Sequence, residues 1–132
     1  MIRDGHLLLA HFVGGRDHGW TLPGGGLDHG EDPADAVVRE VEEETGYDSE
    51  IDRLLGVDSV VFPGRSGAEI HGVRVMYEAH VTGGSLRHEV DNTTDRAQWF
   101  PLDALPEKKL GSLIDTALRL YENRPETGRL TG

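Results

Sequence analysis

One helix with strong signals at both ends constrains this chain more than any other feature of its sequence. Asp32 followed by Pro33 is typical of an N-cap and a first-turn residue, and Gly46 suits the left-handed position beyond a helix C-terminus. These signals predict a helix over about Pro33–Thr45. At about 100° per residue, this helix has two contrasting faces. An apolar stripe predicted to face the core comprises Ala34, Val37, Val38, Val41 and Thr45, and an acidic stripe comprises Glu40, Glu43 and Glu44.

Negative charge is concentrated around this helix. The 23 residues of 28–50 contain ten acidic side chains and one basic side chain, Arg39, whereas the other 109 residues carry 12 bases and 14 acids. Glu40 and Glu44 lie one turn apart, and such a like-charge pair disfavours a helix by roughly 0.2–0.5 kcal/mol. A solvated acidic face is the simplest interpretation. A bound divalent cation is the alternative, because Mg²⁺ and Mn²⁺ prefer oxygen ligands and would offset the repulsion.

Composition restricts the class of protein further. The 132 residues, 36% of them apolar, predict a single domain over 1–132 with one core and a frayed tail at about 124–132. The formal net charge of −11 argues against a nucleic-acid partner or an anionic membrane surface. The absence of cysteine excludes disulfides and thiolate catalysis and fits a cytoplasmic location. No apolar run approaches the ~18 residues of a membrane span, and the N-terminus lacks a signal-peptide pattern.

Apolar alternation and helical spacing predict the remaining elements of an α+β chain with many glycine turns. The predicted strands cover His6–Val13, Trp20–Leu22, Ile51–Phe62 (as one strand or two), His71–Val81 and Ala97–Phe100, and an amphipathic helix covers roughly Lys108–Glu122. The inner face predicted for the fourth of these strands comprises Val73, Val75, Tyr77, Ala79 and Val81.

A glycine-rich loop precedes the central helix and is in register with it. Together they follow the pattern Gly25-x5-Glu31-x7-Arg39-Glu40-Val41-x-Glu43-Glu44-x-Gly46-Tyr47. This pattern resembles the Nudix box, and every defined position of that family's pattern is matched. The resemblance extends more loosely through Trp20–Pro23 and Trp99–Asp103. It implies the Nudix fold, an α/β/α sandwich with a mixed β-sheet and a catalytic loop-helix-loop.

The resemblance also implies a metal site. Carried onto this chain, Glu43 and Glu44 would be the principal carboxylate ligands, and Glu40 would be a further ligand or a water-orienting group. The carbonyl of Gly24 would add another oxygen. Mg²⁺ is the expected cofactor, with Mn²⁺ as the alternative, because both take hard oxygen ligands.

Two further roles follow from the same resemblance. Glu31 and Arg39 would pair and brace the loop, which is a structural role. A general base would help a water to attack, and family members place it either in the box helix or on a later loop. The candidates here are Glu40 or Glu44 in the helix and Glu89 in the loop after the fourth predicted strand, and the sequence leaves the choice open.

Such a site suits the hydrolysis of a phosphoanhydride, since water can attack phosphorus in line without a protein nucleophile. We therefore expect a Mg²⁺-dependent pyrophosphohydrolase that acts on a nucleoside diphosphate linked to another moiety, with ADP-ribose or a nucleotide sugar as the expected substrate. One alternative is a housecleaning enzyme that hydrolyses oxidised nucleoside triphosphates. Another is a Nudix-like domain that binds a nucleotide without hydrolysing it, although the complete set of box carboxylates favours the enzyme.

The evidence for a substrate lies beyond the box. Pro63 follows Tyr47 by 16 residues, which resembles the pattern of ADP-ribose pyrophosphatases within the family, although an ordinary Pro-Gly turn explains it equally well. Arg65 and Arg74 are predicted to bind substrate, because arginine binds phosphate and ribose oxygens well. Three aromatic residues are candidates for lining a pocket for the base: Phe12, Phe62 and Tyr77.

The N-terminus suggests an oligomer. An Asp4-Gly5 turn lies only three residues from the start, although a hairpin needs a strand of ~5 residues on each side. Either the true start lies upstream, or the short strand leaves a sheet edge open for a second copy. We therefore predict a homodimer.

Overall fold

Six strands and two helices make up the regular structure of the described part of the chain. The computed structural model describes residues 1–15, 17–64, 66–88 and 93–131. The elements are β1 Ile2–Arg3, β2 His6–Phe12, β3 Gly19–Thr21, α1 Pro33–Thr45, β4 Tyr47–Pro63, β5 Glu69–Gly84, β6 Thr94–Pro101 and α2 Leu113–Asn123.

Strand β2 is the centre of the main sheet because it is paired along both edges. Strand β6 runs antiparallel to it from His6 to Phe12. The other edge is shared by β1 and β3, which are also antiparallel to β2. A parallel bridge joins Trp20 to Lys109 and gives the described sheet its mixed character.

Alternation along β2 places one helix on each face of this sheet. Leu8 lies in a buried cluster with Val41 of α1. Leu7 and Leu9 lie in a second buried cluster with Ile114 of α2. Because successive side chains of a strand point to opposite faces, α1 and α2 cover opposite faces of the sheet. The predicted α/β/α sandwich is confirmed.

Helix α1 begins and ends where the sequence predicts. The Asp32 side chain accepts a hydrogen bond from the N–H of Ala34 at 3.0 Å. At the other end, Gly46 adopts a φ of 84°, and its N–H donates to the carbonyl of Glu42 at 2.9 Å. Both predicted caps are therefore present, and they set the position of the acidic stripe along the helix.

Strands β4 and β5 form a long two-stranded antiparallel ribbon whose far end is the pair Pro63 and Glu69. The segment predicted as one strand or two is a single strand with register shifts between Ile51 and Gly56. The prediction that Val73 lies on the inner face of β5 is wrong, because this side chain is 66% exposed. Met76, which was not predicted to face inward, is buried. Bulges add local twist, so the buried side changes along the ribbon.

Helix α2 begins later than predicted, at Leu113 rather than near Lys108. The segment before it is extended: the carbonyl of Lys108 accepts from the N–H of Trp20, and the N–H of Leu110 donates to the carbonyl of Trp20, each at 2.8 Å. Gly111, with a φ of 59°, then turns the chain into the helix. Neither helix of the described residues is long and apolar enough to span a membrane.

The residues after α2 make specific contacts with β4 and with a buried cluster. The carbonyl of Gly128 accepts a hydrogen bond from the N–H of Val57 at 2.9 Å. This approach needs a glycine in β4, because a Cβ on Gly56 would lie 2.4 Å from the Gly128 oxygen. Leu130 packs against the buried cluster that contains Met76. The tail therefore covers part of the outer edge of β4.

Candidate active site

The loop between β3 and α1 lies against the acidic stripe. The N–H of Gly24 donates to Glu44 Oε1 at 3.1 Å. The carboxylate of Glu40 lies against Gly25, where an added Cβ would be 2.7 Å from Glu40 Oε1. Gly24 has a φ of 152°, which residues with side chains rarely adopt. The two glycines thus bring loop backbone into contact with two carboxylates of the helix.

Arg39 joins the loop to the helix through several hydrogen bonds. Its Nε and one terminal nitrogen donate to the two carboxylate oxygens of Glu31, each at 2.9 Å. The other terminal nitrogen donates to Glu40 Oε1 at 2.9 Å and to Glu43 Oε2 at 3.4 Å. The carbonyl of Gly26 accepts a further bond at 3.2 Å. One guanidinium therefore holds Glu31 and also offsets charge on two residues of the acidic stripe.

This network moves two pKa values in opposite directions. Hydrogen bonds from Arg39 and from the N–H of Asp28 lower the pKa of Glu31 from 4.5 to about 2. Hydrogen bonds to Glu31 and Glu40 raise the pKa of Arg39 above its ordinary value. Both partners are thus ionised at neutral pH, so the pair keeps its full charge.

The donor set of the acidic stripe fits a hard cation. Glu44 is buried, Glu40 is largely covered and Glu43 is partly exposed. Among the described residues, no group of three or more acidic or histidine side chains is placed so that all of them could hold one metal ion. Mg²⁺ does not require such a group, because it typically takes one or two carboxylates together with waters and substrate phosphates. The groups that would hold the ion are the three carboxylates and the carbonyl of Gly24.

The C-terminal end of α1 is closed by Arg87, which sequence analysis missed. Its N–H donates to the carbonyl of Thr45 at 2.9 Å. Its guanidinium donates to the carbonyls of Glu42 at 2.8 Å and Glu43 at 3.3 Å. Arg87 lies 44 residues after Glu43, so no local pattern connects the two. The one available signal is that the last turn of α1 has no basic residue of its own.

A cleft of about 490 Å³ opens beside the loop and includes Gly24 and Gly25 in its lining. Its wall is largely apolar and includes Phe12 and Tyr77, two of the three aromatic residues predicted to line a pocket. The third, Phe62, lies half-exposed on the ribbon instead. The cleft therefore joins an apolar chamber to the loop that contacts the acidic stripe.

Arg74 lies on the wall of this cleft, and it is the single charged side chain among the described residues that line it. Its Nε and a terminal nitrogen donate to the two carboxylate oxygens of Asp58 at 2.7 and 2.5 Å. A third nitrogen donates to Ser112 Oγ at 3.2 Å. These bonds to Asp58 raise the pKa of Arg74. The arginine thus reaches the cleft as half of an ion pair.

Two residues with predicted roles, Glu89 and Arg65, lie outside the described residues. Their roles in proton transfer and in substrate binding stay predictions. The structure brings together the other predicted groups of the loop and helix, and it places Arg74 at the same cleft.

The sandwich, the glycine-rich loop and the carboxylate-bearing helix occur together in this chain, as the resemblance implies. Residues 1–121 match the sequence model of the NUDIX domain. The chain therefore belongs to the Nudix family of hydrolases, whose members generally use divalent metal ions.

Individual relatives agree with this membership. A Bacillus subtilis protein provisionally named ADP-ribose pyrophosphatase YjhB is 34% identical over 106 residues, which are 80% of this chain and 49% of that protein. The 8-oxo-(d)GTP phosphatase of Mycolicibacterium smegmatis is 35% identical over 107 residues, which are 80% of this chain and 31% of the relative. The chain thus spans about half or less of the length of these curated relatives.

A solved structure supports the fold over most of its length. The crystal structure of a MutT NUDIX hydrolase from Burkholderia pseudomallei superposes with a TM-score of 0.73 at 32% identity. The match covers 91% of this chain and 91% of that one. The layers and the order of elements described above are therefore those of a Nudix hydrolase.

Proposed function

We propose that this protein hydrolyses a phosphoanhydride bond in a nucleoside diphosphate linked to another group, with Mg²⁺ or Mn²⁺ as its cofactor. One observation carries the proposal: the lining of the apolar cleft includes Gly24 and Gly25, which contact carboxylates of the acidic stripe. A nucleoside would occupy the apolar part while its diphosphate lies beside the carboxylates. A bound metal ion would neutralise phosphate oxygens and lower the pKa of a water molecule.

The residues of the box have different roles in this proposal. Glu43 and Glu44 bind the metal ion, and the carbonyl of Gly24 adds a ligand. Glu40 is a further ligand or orients the attacking water. The proton of that water passes to a general base, for which Glu40, Glu44 and Glu89 are the candidates.

For the substrate we propose ADP-ribose or a related nucleotide sugar, cleaved to a nucleoside monophosphate and a sugar phosphate. Arg74, already paired with Asp58, leaves the described lining with no unpaired cationic side chain for a third phosphate. The same ion pair can still hydrogen-bond ribose hydroxyls at the cleft wall. The name of the Bacillus subtilis relative points to the same substrate. Pro63 adds little, because it ends β4 at the tip of a hairpin, as an ordinary turn proline does.

A second candidate is the hydrolysis of oxidised nucleoside triphosphates. The name of the Mycolicibacterium smegmatis relative favours it, and the apolar cleft would accept a modified purine as well as adenine. The two candidates differ in the number of phosphates and in the group beyond the diphosphate.

A substrate panel separates these activities. Release of the nucleoside monophosphate is measured for ADP-ribose, a UDP-sugar, dGTP and 8-oxo-dGTP, each with Mg²⁺, with Mn²⁺ and with EDTA. We expect metal-dependent release of AMP from ADP-ribose with the highest kcat/KM. If any triphosphate exceeds ADP-ribose by about tenfold in kcat/KM, the second candidate replaces the first. Nucleotide binding without release on the whole panel would identify a non-catalytic domain.

We also propose that the protein forms a homodimer, and we assign the contact to the far half of the β4–β5 ribbon rather than to the edge beside β1. Residues 54–76 contain two acids and two bases, so this segment is formally neutral in a chain of charge −11. A second copy can approach a neutral surface without the repulsion that the rest of the molecule would cause. Three exposed valines share one face of this segment: Val57, Val61 and Val73.

A further inference from the structure

Arg87 touches the end of α1 at the point where the helix carries the proposed metal ligands. Its backbone N–H and its guanidinium together reach the carbonyls of Glu42, Glu43 and Thr45 at 2.8 to 3.3 Å. The guanidinium also donates to the Glu42 side chain at 3.2 Å. The carbonyl of Glu42 also accepts from the N–H of Gly46, so Arg87 adds a second bond there. It supplies bonds to the carbonyls of Glu43 and Thr45, which lie in the last turn, where the helix has no N–H of its own to offer them.

We infer that Arg87 is a positioning residue for the carboxylates of Glu43 and Glu44, which lie in the last turn that it closes. The inference rests on the proposed function, because it takes these carboxylates as the metal ligands. It adds a residue that lies outside the Nudix box.

Contacts on both sides of Glu43 show how the positioning works. Its carbonyl accepts from Arg87 at 3.3 Å, while its side chain accepts from Arg39 at 3.4 Å. Glu44 follows it in the chain and holds the N–H of Gly24. If the last turn loosened, both carboxylates would move together relative to the glycine loop. Arg87 therefore acts on the geometry of the site through the helix backbone.

Loss of the Arg87 charge and loss of its hydrogen bonds to carbonyls are expected to change metal affinity in opposite directions. The two effects can therefore be separated by experiment. Removing the cation makes the surroundings of the acidic stripe more negative, which by itself attracts Mg²⁺ more strongly. This attraction is weakened by salt because the Arg87 side chain is half-exposed. Loss of the carbonyl contacts would displace the ligands. Mutation of residues that orient metal ligands without touching the metal lowers metal affinity by about tenfold or more. We expect geometry to dominate.

The test uses Arg87→Met, which keeps the aliphatic stem, and Arg87→Lys, which keeps the charge but has one nitrogen in place of the two that contact the carbonyls. Mn²⁺ affinity is measured by electron paramagnetic resonance of the free ion in the absence of substrate. The Mg²⁺ dependence of kcat is measured separately. We expect Arg87→Met to weaken Mn²⁺ binding by about tenfold, with a matching rise in the Mg²⁺ concentration needed for half-maximal rate. We expect Arg87→Lys to fall between Arg87→Met and the wild type.

Arg124→Met is the matched control. Arg124 also lies at the C-cap of a helix, but its guanidinium pairs with Glu78 at 3.1 Å, and the helix is α2. We expect its Mn²⁺ affinity to equal that of the wild type. Unchanged or tighter Mn²⁺ binding in both Arg87 variants would overturn the inference, as would an equal loss in Arg124→Met. If Arg87→Met does not fold, Arg87→Lys alone decides between these outcomes.

Different experimental results would contradict the inference about Arg87 and the proposed function. Wild-type protein that binds Mn²⁺ but releases no product from the substrate panel contradicts the function and leaves the Arg87 result standing. Wild-type turnover together with unchanged metal affinity in both Arg87 variants contradicts the inference alone.

Discussion

At the scale of single residues, Arg39 explains how three neighbouring carboxylates are tolerated on one helix face. Its guanidinium contacts Glu31, Glu40 and Glu43 at once, so it offsets repulsion within the stripe while it fixes the loop. Arginine suits this position because its planar fork has five donors, whereas lysine offers one compact charge. The sequence predicts the pair with Glu31 through the family pattern. It does not predict the bonds to the helix, because these depend on rotamers set by packing.

The proposed ligands are tested by Glu43→Gln and Glu44→Gln. Each change removes a charged oxygen but keeps the shape of the side chain, and the amide oxygen at position 44 can still accept from Gly24. We expect kcat/KM to fall by about hundredfold or more while the far-ultraviolet circular dichroism spectrum is unchanged. Asp35→Asn is the control, since this exposed acid lies in the first turn of the same helix. Activity near the wild-type value in both glutamine variants would contradict the metal assignment.

The depressed pKa of Glu31 makes a prediction about acid stability. A carboxylate whose pKa is lowered from 4.5 to about 2 on folding stabilises the protein above pH 4.5 and loses that effect as the pH falls toward 2. We therefore expect the urea midpoint of Glu31→Gln to lie below that of the wild type by a constant amount above pH 4.5. The difference should narrow between pH 4.5 and 2. A difference that does not change with pH would show that the ion pair contributes nothing to folding.

At the scale of elements, the sequence predicts the bounds of a helix correctly where they depend on local signals. It predicts them wrongly where they depend on contacts with residues far away in the chain. The bounds of α1 follow from its two caps, and both caps are local. The start of α2 was predicted too early, because the residues before it are held extended by Trp20, which lies almost 90 positions earlier. The contact of Arg87 with α1 was missed for the same reason. Periodicity within one segment carries no information on partners so far along the chain.

The two ends of α1 are expected to respond differently to mutation. Asp32→Ala removes one capping bond to Ala34 and should cost about 1 kcal/mol of unfolding free energy with kcat unchanged at 25 °C. Gly46→Ala strains a left-handed residue, and its Cβ would lie 2.3 Å from the backbone oxygen of Ser85. We expect a larger loss of stability, together with a lower kcat, because the ligand-bearing turn must shift. Chemical denaturation and steady-state kinetics measure both effects, and equal kcat values in the two variants would contradict this asymmetry.

At the scale of the whole molecule, the exposed apolar part of the ribbon contrasts with a strongly acidic remainder. An isolated two-stranded ribbon is marginally stable in water. The near part of this one is covered by α2 and the tail, through Leu120 and Leu130. Its far part has apolar side chains and outer edges without a strand partner among the described residues. A second copy would cover this surface.

The dimer is tested by light scattering and sedimentation at tens of micromolar. We expect wild-type protein to be dimeric and Val61→Glu with Val73→Glu to be monomeric, since these valines are 60% and 66% exposed and a charge there opposes burial. Leu102→Glu is the control, because it adds the same charge at an exposed leucine outside the ribbon. A monomeric wild type, or dissociation in the control as well, would remove the ribbon as the interface.

The central position of β2 has a consequence for how the chain acquires its fold. This strand is complete by Phe12, but the partner that runs along its full edge begins only at Thr94. Pairing of such distant segments carries a large loop-closure entropy and is slow in two-state folding. During synthesis, one edge of β2 can pair with β1 and β3 soon after they emerge, whereas the other edge stays without its partner until β6 is made. We therefore expect the central sheet to be completed late in folding.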